Sequence, residues 1–172
     1  MIKRIILILA IGIILSSNLS GARIRSEETK TKIIEACEVL FNPSSTTTQK
    51  NLVDSLSQLI DIAASITTSE YKDDIKYRIG VAKELFKENS LFDEKARQYL
   101  SFVYRMMTNG QKYQRPEELD VFVTPDEAQE KAKKYATKLV NKALTELDAG
   151  NPGETAKYLI ELVLMVITPM TG

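Results

Sequence analysis

The side chains that could do chemistry in this chain are tyrosines, lysines, arginines and carboxylates, because the sequence contains no His and a single Cys. Without His, it lacks the residues of Ser-His-Asp and Cys-His nucleophilic sites, of the usual zinc and di-iron centres of helical bundles, and of His-ligated haem. A single Cys also excludes thiolate metal clusters and CxxC redox motifs. We therefore expect neither a metal nor a cofactor.

Two pairs of adjacent carboxylates, Asp73-Asp74 and Glu117-Glu118, are the candidates for acid-base catalysis. Neighbouring residues on a helix point in different directions, so neither pair forms a ready couple, and we interpret both as solvated surface. The glycines are scattered singly, which leaves no Gly-rich phosphate loop. These features favour a non-catalytic protein. The alternative is an enzyme that uses carboxylate, Tyr or Lys chemistry in a cleft between helices.

A candidate binding site lies in the irregular stretch expected at residues 111–124 and in the adjoining end of the fourth predicted helix. Aromatic and guanidinium groups on loops commonly form binding sites on rigid scaffolds. The candidate ligand-binding residues are Tyr104, Arg105, Lys112, Tyr113 and Arg115. The alternative is a structural cover over one end of the helices, with Phe122 buried beneath it.

A second candidate is a row of four lysines at helical spacing, which could meet an anionic surface. The row consists of Lys131, Lys134, Lys138 and Lys142. Glu127, Glu130 and Glu146 dilute its charge, so a solvated helix face is the simpler interpretation. Glu127 and Glu130 also precede Lys131 and Lys134 by four residues, the favourable order for ion pairs on a helix.

The N-terminus has the three-part pattern of a secretory signal. Lys3 and Arg4 precede an apolar run over residues 5–15, and Ser20 and Ala22 supply small side chains at the −3 and −1 positions of a cleavage site. An uncleaved membrane anchor is the alternative, but the run is shorter than the roughly 20 residues that a spanning helix needs.

Cleavage after Ala22, or after the neighbouring Gly21, separates a signal peptide at residues 1–22 from a single helical domain at residues 23–172. The predicted location is the periplasm or the extracellular space, with membrane contact only through the signal segment. The sequence has 23 basic and 23 acidic residues, so the domain without its signal is close to neutral. That balance lacks the excess of Lys and Arg expected of a nucleic-acid-binding protein.

Hydrophobic periodicity and capping residues predict six helices within this domain. They span residues 26–41, 49–66, 69–88, 93–109, 125–149 and 152–167. We expect Ser69 to cap the third helix, Thr124 to cap the fifth in a capping box with Glu127, and Asn151 to cap the sixth. The short turn at Gly150 makes the last two helices an antiparallel hairpin.

The sixth predicted helix is apolar on nearly all sides, apart from a strip formed by Glu154, Lys157 and Glu161. Such a helix belongs in the middle of a bundle, or else docks against another protein. The predicted fold is therefore all-α, a single helical bundle of five to six helices with a C-terminal antiparallel helical hairpin. Cys37 lies on the apolar side of the first helix, which predicts a buried thiol. An intermolecular disulfide or a reactive thiol is the alternative.

The predicted function is that of an exported, non-catalytic helical module that binds a partner protein, a cell-envelope component or a small ligand. The alternatives are a small extracytoplasmic enzyme and a structural or chaperone-like helical protein. An enclosed pocket of Glu, Asp, Tyr or Lys with mutually perturbed pKa values would favour the enzyme, and a convex bundle with exposed apolar residues would favour the binding module. Self-association would favour the structural role.

Overall fold

The computed structural model describes residues 25–67, 70–88, 93–120 and 124–168. Within these ranges the chain forms six α-helices and one short 3-10 helix, and contains no strand. The elements are α1 (residues 25–41), α2 (Gln49–Ile66), α3 (Lys72–Glu88), α4 (Glu94–Met107), η1 (Glu117–Leu119), α5 (Pro125–Asp148) and α6 (Pro152–Ile167). The prediction of an all-α bundle is confirmed.

Helix α6 lies in the middle of the bundle, in contact with α2, α4 and α5. Its apolar side chains are buried, and Leu159, Ile160 and Leu162 have no exposed surface. Each fully buried aliphatic side chain stabilises the fold by about 1.5–3 kcal/mol, as an upper bound. Because α6 carries so many of them, it is a main source of the hydrophobic stabilisation of the bundle.

The remaining helices pack against this central group. Helix α3 contacts α2 and α4, while an ion pair between Lys30 and Asp148 joins α1 to α5. Helices α5 and α6 run antiparallel, since Tyr135 in the first half of α5 donates a hydrogen bond to Glu161 in the second half of α6. At the other end of this hairpin, Thr155 donates to the carbonyl of Ala143.

Polar caps set the starts of three helices. Thr124 and Glu127 form the predicted capping box of α5, and a second capping box joins Thr48 and Asn51 at the start of α2. The carboxylate of Asp93 accepts two backbone hydrogen bonds at the start of α4. Capping of this kind satisfies amide groups that have no partner within the helix.

Left-handed backbone ends α4 and permits the turn between α5 and α6. Asn109 and Gly110 have φ angles of 53° and 88° after α4, and Gly150 has a φ angle of 76° after α5. Glycine adopts this conformation without the steric cost that other residues incur. The predicted turns at Gly110 and Gly150 are therefore present.

Several local predictions differ from the structure. Helix α3 begins at Lys72 rather than at residue 69, and Ser69, its expected cap, lies outside the described residues. Asn151 occupies the N-cap position of α6 without capping it, and its side-chain nitrogen donates to the Glu146 carboxylate at 2.7 Å. The stretch expected to be irregular contains the 3-10 helix η1.

Two other expectations fall on residues that the structure does not describe. They are the signal peptide at residues 1–22 and the burial of Phe122. Among the described residues, no helix is long and apolar enough to cross a membrane.

Candidate functional site

Glu161 lies on the polar strip of α6, flanked by residues of α4 and α5. Glu154, Lys157 and Glu161 share one side of the helix because they recur at spacings of three and four. Glu154 and Lys157 form an ion pair with each other, whereas Glu161 is half-buried. Burial raises the pKa of the Glu161 carboxyl, and a hydrogen bond from Tyr135 and the charges of nearby lysines oppose that rise.

Tyr135 on α5 donates the hydrogen bond that holds this carboxylate. Its hydroxyl lies 3.2 Å from Oε1 of Glu161. Burial, with a further contribution from the Glu161 charge, raises the pKa of Tyr135 to about 12. The phenol is therefore protonated near neutral pH and acts as a donor to the carboxylate.

Three more tyrosines surround the pair. Tyr104 at the end of α4 packs edge to face on Tyr113 of the following loop, with ring centroids 5.7 Å apart. Burial raises the pKa of both phenols, and the hydroxyl of Tyr113 is buried without a hydrogen-bond partner in the described part of the chain. We call Tyr104, Tyr113, Tyr135 and Tyr158 the tyrosine cluster.

Burial keeps the phenols of Tyr104, Tyr113 and Tyr135 in the protonated form. A tyrosine that acts as a general base or nucleophile needs a lowered pKa, and the pKa shifts of Tyr104, Tyr113 and Tyr135 go the other way. Glu161 is different, since a carboxyl with a raised pKa can exchange a proton closer to neutral pH. It is the feature of this site that best fits the enzyme alternative.

Arg115 connects the loop after α4 to the end of α6. Its guanidinium donates to the carbonyl oxygens of Met165 at 2.7 Å and of Thr168 at 2.6 Å. Its Nε lies 3.1 Å from Oδ1 of Asp120 in an ion pair, although the angle there is not that of a hydrogen bond. The Arg115 side chain is only 13% exposed, and its contacts fasten the loop to the end of α6.

The structure thus divides the five candidate residues of the loop region. It brings Tyr104, Tyr113 and Arg115 together against α6. Arg105 and Lys112 are exposed, and within the described ranges their side chains form no hydrogen bond or ion pair. Leu119 of η1 is buried as well, so this loop covers part of the bundle in addition to presenting polar groups.

The lysine row lies along α5 beside the tyrosine cluster. Lys134, Lys138 and Lys142 are exposed, and Lys131 is partly exposed. None of the four forms an ion pair with another residue that the structure describes. The expected pair between Glu127 and Lys131 is therefore not formed, and the Glu127 carboxylate accepts from the amide of Thr124 instead. The expected pair between Glu130 and Lys134 is not formed either.

Aromatic rings lie under two of these lysines. The ammonium of Lys138 is 5.5 Å from the ring centre of Tyr135, and that of Lys142 is 5.2 Å from the ring centre of Tyr158. Lys157 approaches the same Tyr158 ring at 4.8 Å. At these distances a ring attracts a cation without neutralising it. The lysines keep their charge available for a ligand.

A cleft of about 320 Å³ opens between η1 and the first half of α5. Its lining residues are Glu118, Lys131, Lys134, Tyr135 and Lys138. The volume is at the lower end of the range for small-ligand sites. The cleft therefore lies between the loop after α4 and the lysine row. Tyr135, a member of the tyrosine cluster, forms part of its lining.

Cys37 lines a smaller pocket, of about 140 Å³, between α1 and α5. Burial, with a smaller contribution from Glu38, raises the pKa of its thiol to about 12. A thiol with such a pKa is protonated and a poor nucleophile near neutral pH. The buried position predicted for Cys37 is confirmed.

Sequence reasoning did not identify Tyr135, Tyr158 and Glu161 as parts of a site. Tyr135 and Glu161 are 26 positions apart, and they meet because α5 and α6 form a hairpin. A usable signal was Glu161 itself, a carboxylate within the most apolar helix, since a buried carboxylate needs a partner.

The described residues contain no group of three or more acidic or cysteine side chains placed to hold a metal ion. Comparison of the chain with protein families, with curated proteins and with solved structures found no match. The candidate site is therefore defined by geometry alone.

Glu161 makes the stability of the fold depend on pH. Its pKa is raised above the ordinary value of 4.5 in the folded state, so the folded protein binds this proton more tightly than the unfolded chain does. The contribution is present below that value and is lost as pH rises through the folded-state pKa. We expect Glu161→Gln to reduce the fall in stability above about pH 4.5, measured by urea denaturation across a pH series.

The Tyr135→Phe variant provides the complementary test. It removes the hydrogen bond that lowers the pKa of Glu161, so the fall in stability should extend to higher pH. If Glu161→Gln and the unmodified protein show the same pH profile, Glu161 does not titrate differently in the folded state.

Proposed function

We propose that this chain is an exported, non-catalytic helical module that binds a partner protein, a cell-envelope component or a small ligand. Its contact face consists of the cleft and the lysine row. The observation that carries the proposal is that all four lysines lack ion pairs with described residues while two of them lie over tyrosine rings. Lysines without a contact ion pair, next to aromatic surface, are suited to bind a ligand of opposite charge.

The shape and chemistry of the face support binding over catalysis. The cleft opens between η1 and α5 on the outside of the bundle, and the tyrosines beside it have raised pKa values. The enzyme alternative depends on the half-buried Glu161 and its hydrogen bond from Tyr135. Proton transfer by Glu161 predicts that a ligand reaches this carboxylate, whereas the binding module needs Glu161 only to position Tyr135.

Export is part of the proposal and rests on the sequence of residues 1–22. A basic start, an apolar run and small residues before Ala22 are the pattern that a secretory signal has. Edman sequencing or mass spectrometry of the protein from the extracytoplasmic fraction should find a new N-terminus at Arg23, or at Ala22 after the alternative cut. A chain that stays inside the cell with Met1 intact would contradict export.

The contact face can be tested by reversing charge at its centre. Lys134 and Lys138 are exposed, so a Lys134→Glu/Lys138→Glu double variant should fold normally. We expect the tagged protein to recover a component from the extracytoplasmic fraction of its source cells, and this variant to recover about tenfold less of it. Mass spectrometry of the eluate would identify the component, whether protein, polymer or small molecule.

A charge-matched control separates this effect from a change in net charge. Lys72 on α3 and Lys95 on α4 are exposed and form no ion pair with any residue that the structure describes. A Lys72→Glu/Lys95→Glu variant should recover the component as the unmodified protein does. Equal recovery by both double variants would refute this contact face, and self-association without any bound component would favour the structural role.

A further inference from the structure

The cleft between η1 and α5 presents both signs of charge to a ligand. Glu118 lies on the η1 side, and Lys131, Lys134 and Lys138 lie on the α5 side with Tyr135. Glu118 is exposed and forms no hydrogen bond or ion pair with the described part of the protein. A complementary ligand therefore needs anionic groups for the lysines and a hydrogen-bond donor for Glu118.

The lysine row calls for anionic groups of the ligand beyond the cleft as well. From Lys131 to Lys142 the row runs for about 17 Å, given a rise of about 1.5 Å per helical residue. Lys142 lies outside the set of residues that line the cleft. A ligand that contacts the whole row is therefore elongated, with several anionic groups along its length.

Polyphosphates, anionic lipid surfaces and acidic peptides all carry such a series of anionic groups, and they differ in what they offer Glu118. A polyphosphate has acceptor oxygens only, so it would repel this carboxylate. An anionic lipid surface is broad, so its phosphates would also come close to Glu127 and Glu130, which are exposed beside the row. These carboxylates would repel the phosphates. An acidic peptide offers carboxylates, which can pair with the lysines on α5, and backbone N–H donors, which can bond to Glu118 on η1.

We propose that the cleft and the lysine row together bind an acidic segment of a partner protein. Carboxylates of the segment pair with Lys134, Lys138 and Lys142, and an N–H group donates to Glu118. The inference rests on the proposed function, in which the same face binds a partner, and it specifies the chemistry of that partner.

A synthetic peptide provides the direct test. The probe is a fluorescently labelled peptide of about eight residues with several glutamates, because an extended chain spans about 3.3 Å per residue and must cover the cleft and the row. We expect fluorescence anisotropy to show binding that weakens with salt and is absent for the Gln analogue of the peptide. Lys134→Glu/Lys138→Glu should lower the affinity about tenfold or more, and Lys72→Glu/Lys95→Glu should leave it unchanged.

Glu118→Gln distinguishes a peptide from the other polyanions. Loss of the carboxylate should weaken binding of the acidic peptide about fivefold, because the charge-assisted hydrogen bond from the peptide N–H acts at contact distance and outweighs the screened repulsion from the peptide's more distant carboxylates. The same variant should strengthen binding of inorganic polyphosphate and of phosphatidylglycerol vesicles, because a repulsive charge is removed. The peptide should therefore respond in the opposite direction from both other probes.

Three results would overturn the inference. They are tighter binding of the acidic peptide to Glu118→Gln, equal binding of the peptide and its Gln analogue, and stronger binding of polyphosphate or vesicles than of the peptide by the unmodified protein. If a natural component is recovered in a manner that depends on Lys134 and Lys138 while the acidic peptide does not bind, the proposed function stands and this inference fails.

Discussion

Replacing Leu159 with alanine should lower the free energy of unfolding by about 2–5 kcal/mol, because the change leaves a cavity in the middle of the bundle. Leu159 has no exposed surface and belongs to the core formed by α6 and its neighbours. Its partners are fixed by three surrounding helices, so the core can collapse only partly around the missing atoms. Chemical denaturation monitored by circular dichroism would measure the change.

Leu144→Ala is the matched control for this prediction. It removes the same atoms from α5 at a position that is only partly buried, so less apolar surface loses its contacts and the destabilisation should be clearly smaller. Equal losses in the two variants would contradict a fold organised around α6.

Replacing Arg115 with alanine should lower the free energy of unfolding by about 1–3 kcal/mol, because it leaves partly buried polar groups without partners. The carbonyls of Met165 and Thr168 would lose their donor, and the Asp120 carboxylate would lose its cation. Hydrogen exchange should accelerate in the last turn of α6, where these carbonyls lie. Together with denaturation, that measurement locates the effect.

Two other arginine variants provide comparisons for the stability of Arg115→Ala. Arg115→Lys keeps the charge but lacks the planar fork that reaches both carbonyls and Asp120, so its stability should be intermediate. Arg105→Ala removes an exposed guanidinium without a partner in the described ranges and should change stability little. A stable Arg115→Ala protein with normal exchange in α6 would show that the fold does not depend on Arg115.

The sequence predicts the fold well because its strongest signals are local. The apolar surface of α6 indicates its central position, and the capping box of Thr124 and Glu127 marks the start of α5. Asn151 shows the limit of such rules, because it lies at the N-cap position of α6 and its side chain bonds to Glu146 at the end of α5 without capping α6. The hydrogen-bond partner of a capping residue depends on three-dimensional geometry, which the spacing of residues in the sequence does not specify.

The candidate site is less predictable because its contacts join distant parts of the chain. The hydrogen bonds of Arg115 span 50 and 53 positions, so nothing near residue 115 distinguishes a structural arginine from a binding one. The lysine row is visible in the sequence, but the cleft beside it depends on where η1 lies. Its opposite wall, Glu118, was interpreted as solvated surface from the sequence alone.

The place of α6 in the chain has a consequence for how the protein matures. The ribosome makes α2, α4 and α5 before it makes α6, yet all three pack their apolar faces on that helix. Until α6 has emerged from the ribosome, the nascent chain therefore lacks the surface against which the earlier helices pack in the folded protein. We therefore expect cooperative folding to begin only when nearly all the described helices have emerged.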